Sequence, residues 1–150
     1  MIPAPIIEWA VWANLDKLNN PELILLKGHL LLDIILEAHL VRTISTHDVA
    51  ASDLSFFRKL TLLERDIKPG DRCSLAAIQY ARHLNSLRNK LAHEYVSDNT
   101  IAELNEWAQQ VLNLLPSTKF QRHTTRTAIT QAFAALAKSL YGGVDADDIL

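Results

Sequence analysis

Arg82, Asn85, Asn89 and His93 recur at i, i+3, i+7 and i+11, a spacing that at about 100° per residue sets all four along one side of a helix. The other side of the segment, with Tyr80, Leu84, Leu87 and Leu91, is apolar and turns toward a core. The polar stripe has hydrogen-bonding capacity that neither caps a helix end nor completes an obvious set of ion pairs. Asn85 and Asn89 are also poor helix formers for a surface, where Glu, Lys or Ala would hold the backbone better. Something other than helix stability selects them. Arg88 stands about 140° round from His93 in a regular helix. The two therefore meet only if the helix loosens near Ala92, if the long arginine reaches around, or if the working site combines two copies across a two-fold axis.

Charge is concentrated on the same stretch. The formal net charge of −2 argues against a broadly basic nucleic-acid binder. Yet between Arg58 and Lys90 eight basic residues stand against three acidic ones, whereas residues 1–57 carry three basic and seven acidic. A local positive field suits a phosphate-bearing partner, and a solvated helix face is the plainer alternative.

Other chemistry-bearing residues are sparser. His29, Asp33 and Glu37 share a helix face, but one face of one helix rarely completes a metal site, and there is no HExxH or CxxC. The expectation is no metal and no cofactor, with His29 at a polar helix edge or buried in a hydrogen bond. The single cysteine, Cys73, reads as a small apolar helix residue and fits a reducing compartment. Trp9, Trp12 and Trp107 sit among apolar neighbours and read most simply as core or dimer-interface residues, with stacking on bases the less favoured alternative.

The elements that must position these residues are helical. A chain of 150 residues, 49% hydrophobic, with four glycines and five prolines, favours one all-α domain, an up-and-down bundle of five to six helices. Periodicity predicts a first helix from Ile6 to about Leu18 and a second from Pro21 to about Ile44, followed by a loop at Ser45-Thr46-His47-Asp48. Ser52 is the expected cap of a third helix ending near Asp66, and Lys68-Pro69-Gly70-Asp71 reads as a turn. A fourth helix spans Arg72 to about His93. The Thr100 and Glu103 pair has capping-box spacing and opens a fifth over Ile101 to Leu115. Ser117 or Thr118 is expected to open a sixth that reaches Leu140, stopped by Gly142-Gly143. The domain is thus taken as 1–143, with 144–150 an acidic tail. The N-terminus has no basic n-region, and the most apolar segment, Leu23 to Val41, carries five polar or charged residues. Neither a signal peptide nor a membrane span is expected, and a cytoplasmic location follows.

Arg88-Asn89 followed by His93 resembles the Arg-Asn-x3-His signature of HEPN domains. With Tyr95 the run also resembles the Arg-x4-His-x-Tyr form of HEPN toxins paired with minimal nucleotidyltransferase antitoxins. Upstream, Leu54-Ser55-Phe56-Phe57-Arg58-Lys59-Leu60 is weakly similar to the helix before the motif in stand-alone HEPN-like proteins, including mannitol-repressor-like ones. The close likeness covers about ten residues and the looser one Leu23 to Tyr95. The resemblance implies a metal-independent endoribonuclease acting as a homodimer, the toxin or effector of a toxin–antitoxin or antiphage system. His93 would take the proton from a ribose 2′-OH, Arg88 would hold the scissile phosphate, and Asn89 would orient His93 or bond the substrate. Arg82, Asn85 and Lys90 would bind the RNA. DNA, lacking the nucleophile, would be spared. Tyr95 would be a target of antitoxin-catalysed AMP addition, although by periodicity it continues the apolar face and reads as core. The competing reading is a non-catalytic HEPN-like regulator, or a helical assembly module that binds a protein partner.

Overall fold

The computed structural model describes residues 2–43, 53–93, 98–120 and 124–142. Within these described residues six helices make an all-α bundle: α1 (Ala4–Asp16), α2 (Pro21–Thr43), α3 (Phe56–Arg65), α4 (Arg72–His93), α5 (Asp98–Leu114) and α6 (Thr125–Gly142). Among the described residues there is no strand.

The last helix is the centre of the molecule. Every residue from Thr127 to Ala137 is buried, and α6 packs on α1, α2, α4 and α5. Its composition explains the position: a run of alanines lets neighbouring backbones approach closely, and the buried Thr127, Thr130 and Gln131 among them are hydrogen-bonded. Gly28 of α2 meets Phe133 of α6 so closely that a Cβ at position 28 would overlap the Phe133 ring. Trp107 of α5 is fully buried against the same ring, with Nε1 donating to the Tyr80 carbonyl of α4 at 3.0 Å.

Several boundaries differ from the periodicity. The sixth helix does not open at Ser117 or Thr118. Residues 116–120 run past α1 without helical structure, and side chains bond two of their N–H groups. Thr118 N donates to Glu8 Oε2 (3.1 Å), Phe120 N to Gln131 Oε1 (3.2 Å), and Phe120 stacks on Trp12 at 4.8 Å. Thr124 caps α6 instead, its Oγ1 accepting from Thr127 N while Thr127 Oγ1 accepts from Thr124 N. The fifth helix begins at Asp98, so Thr100 lies inside its first turn, and Glu103 reaches Lys90 of α4 (3.2 Å). Ser55 caps α3, accepting from Arg58 N at 3.2 Å. The expected Ser52 cap, the 45–48 loop, Gly143 and the acidic tail lie outside the described residues.

α1 starts two residues early, with Pro5 in its first turn, and ends at Asp16. There Arg126 Nη1 donates to the carbonyls of Asp16 (2.9 Å) and Leu18 (3.2 Å), tying the end of α1 to the first turn of α6. The Lys68–Asp71 turn matches its sequence. Gly70 takes a positive φ of 92° after Pro69, Asp71 N donates to Lys68 O, and Asp71 Oδ1 then accepts from Ser74 N to cap α4. That cap sets the start, and so the register, of the helix bearing the polar stripe.

Candidate functional site

α4 buries Ala77, Ile78, Ala81, Leu84 and Leu87, with Tyr80 and Leu91 partly covered. Arg88, Asn89, Lys90 and His93 are left exposed on its last turns. The helix stays regular through His93, so no loosening at Ala92 brings Arg88 toward the imidazole.

The two instead line separate depressions. His93 borders one of about 470 Å³ that also includes Phe57, Arg82 and Lys90. Arg88 borders a second, of about 700 Å³, between α4, α2 and the start of α3, with His29, Leu26 and Leu30. Asn85, Asn89 and Phe57 line both. Asn89 is also the link to the arginine, since its Oδ1 accepts from Arg88 Nη1 at 3.4 Å.

The remaining residues of the stripe are more engaged than their spacing implied. Arg82 does complete an ion pair: its Nη2 lies 2.7 Å from Glu64 Oε2 on α3, and its guanidinium sits 4.7 Å from the centroid of the Phe57 ring. Lys90 pairs with Glu103 at the surface. Asn85 is half-buried, and its Oδ1 accepts from His29 Nε2 at 2.9 Å, which fixes the proton on Nε2 and leaves the asparagine amide to donate. Tyr95 lies outside the described residues.

Beneath the Arg88 depression is a polar cluster that spacing alone did not assemble. Lys59 of α3 is only 2% exposed, and its ammonium lies 2.8 Å from Asp33 Oδ1 and 3.4 Å from Glu37 Oε2. The two carboxylates considered as metal ligands are thus bound to an ammonium, and the third member, His29, is turned to Asn85. Among the described residues no group of three or more His, Cys, Asp or Glu side chains is placed to hold a metal ion. The available signal was Lys59 itself, which falls on the same helix face as Phe56, Leu60 and Leu63. A cation in an apolar stripe requires a buried anion.

His29 is held below the ordinary histidine pKa, chiefly by burial. The Asn85 hydrogen bond opposes that effect, the Arg88 charge adds to it, and Asp33 opposes it. The neutral imidazole packs on the Phe56 ring at 4.3 Å. Chemically, this corner of the molecule offers an exposed imidazole, an exposed guanidinium and two carboxamides, without a carboxylate to neutralise Arg88 among the described residues.

The described helices include none long and apolar enough to cross a membrane. Compared with known proteins, the chain matches no family model, no curated protein and no solved structure.

Proposed function

We propose that this protein is a metal-independent endoribonuclease of the HEPN type, working as a homodimer and serving as the toxin or effector of a toxin–antitoxin or antiphage system. The observation that carries the reading is the exposure of Arg88, Asn89 and His93 together on the last turns of α4. His93 takes the proton of a ribose 2′-OH, and the oxygen attacks the adjacent phosphorus while Arg88 stabilises the charge growing on the phosphoryl oxygens. The bond to the 5′-oxygen breaks, the imidazolium is the acid available to protonate it, and the products are a 2′,3′-cyclic phosphate and a 5′-OH. Asn89, which touches Arg88 and borders both depressions, aligns the phosphate between them.

Arg88 and His93 border different depressions of one copy, and on this reading the working site draws Arg88 from one copy and His93 from the other. Support for a second copy comes from α2, where Leu23, Leu26, Leu30 and Ile34 are each about half exposed along one face and two of them line the Arg88 depression. A minimal nucleotidyltransferase acting on Tyr95 is the antitoxin this reading expects.

The same apolar row favours the second reading, a non-catalytic module that binds a protein partner through α2. Expression of wild type beside Arg88→Ala and His93→Ala separates the two. The ribonuclease reading expects growth arrest and RNA loss with wild type alone, and equal growth with intact RNA in all three strains contradicts it.

A further inference from the structure

Phe57 is more than half exposed (57%) and lines three adjoining depressions: the one bordered by His93, the one bordered by Arg88, and a third on α3 with Arg58, Thr61 and Arg65. Its neighbour Phe56 is buried against His29, so the pair divides, one ring in the core and one in solvent. The outer ring is braced. Arg82 lies over it at 4.7 Å and is itself held by Glu64 (2.7 Å) and Thr61 (3.5 Å). An exposed aromatic stabilised on one side by a fixed guanidinium keeps a defined plane for a ligand.

The surroundings are cationic. Arg58 and Arg65 are exposed, lie two turns apart on α3, and like Arg88 make no ion pair among the described residues. An apolar protein knob seated on Phe57 would strip water from these arginines without neutralising them. A nucleic-acid strand supplies a π face for the ring and phosphates for the guanidiniums. The face of a base is available only when the base is unpaired, since in a duplex it is covered by its neighbours.

We propose that Phe57 is the stacking platform for an unpaired base of single-stranded RNA, whose backbone runs over α3 past Arg58 and Arg65 into the Arg88 and His93 depressions. The inference rests on the ribonuclease reading and deepens it by naming the substrate class. Phe57 would hold the strand beside the reacting phosphate, and Arg82 would act through the ring it braces.

Binding is measured with full-length His93→Ala protein, a non-cleaving background, using a short single-stranded RNA containing 2-aminopurine and the duplex of the same sequence. The single strand is expected to bind more tightly than the duplex, with a change in 2-aminopurine fluorescence on stacking. Adding Phe57→Ala should weaken binding roughly 5- to 100-fold and abolish the fluorescence change, whereas Phe57→Tyr preserves both. Arg58→Ala and Arg65→Ala should each weaken binding and flatten its salt dependence. Unchanged binding by Phe57→Ala overturns the proposal, as does no binding of single strands, or an altered oligomeric state with RNA binding intact, which would make the ring a protein contact. The two readings fail separately. Wild type that binds through Phe57 but leaves RNA uncut refutes the ribonuclease, and Phe57→Ala enzyme that cuts single and double strands like wild type refutes the platform alone.

Discussion

His29 shows how one side chain joins stability to the site. Burial keeps its imidazole neutral in the fold, while the unfolded chain takes up a proton as pH falls through about 6.5. Its contribution is therefore fully present above that pH and declines below it until the lowered folded pKa is reached, with a slope of at most about 1.4 kcal/mol per pH unit. His39 has the same sign, again mainly through burial, with the Tyr141 carbonyl opposing. Thermal unfolding between pH 8 and 5 should show Tm level at first and then falling below about pH 6.5, with a shallower fall in His29→Gln. A Tm that rises on acidification contradicts this account. In the sequence, His29 was legible only as either a polar helix edge or a buried, hydrogen-bonded histidine, and Asn85 was not legible as its partner at all. The two are 56 positions apart, and only the packing of α2 on α4 brings them together. Lys59 was legible only as part of a basic cluster, because a charge count cannot separate a solvated lysine from one enclosed by Asp33 and Glu37.

Among the elements, α4 was the most legible, its observed span Arg72–His93 matching the expected one because a turn with Pro and Gly precedes it and its apolar face repeats cleanly. The start of α6 was the least legible. Ser117 and Thr118 are good caps in isolation, but Glu8 and Gln131, distant in sequence, bond the N–H groups of Thr118 and Phe120. The central place of α6 was not read from the sequence, because which helices surround it depends on contacts such as Gly28 with Phe133. Gly28→Ala should push α2 from α6 and cost about 1–3 kcal/mol, the range for overpacking a filled core. Denaturant unfolding measures this directly, and an unchanged midpoint would mean that the α2 and α6 contact yields without strain. Because α2 also carries His29 and the apolar row, the same substitution should weaken any activity that depends on the Arg88 depression.

For the whole molecule, the all-α bundle followed from composition and periodicity, whereas the separation of Arg88 from His93 followed from helical geometry and is retained in the fold. That separation makes the two-copy site testable. Arg88→Ala and His93→Ala proteins, each inactive, should regain activity when mixed under conditions that allow exchange. Half of the dimers would then hold one intact site of two, giving about a quarter of the wild-type rate. The central claim, that this chain cuts RNA with Arg88 and His93, is tested most directly by incubating purified wild type with end-labelled single-stranded RNA in the presence of a metal chelator. The account predicts fragments ending in 2′,3′-cyclic phosphate, no cutting of the matching DNA, and a loss of at least about 100-fold in Arg88→Ala and in His93→Ala. RNA left intact by wild type, or cut equally by all three proteins, would contradict it.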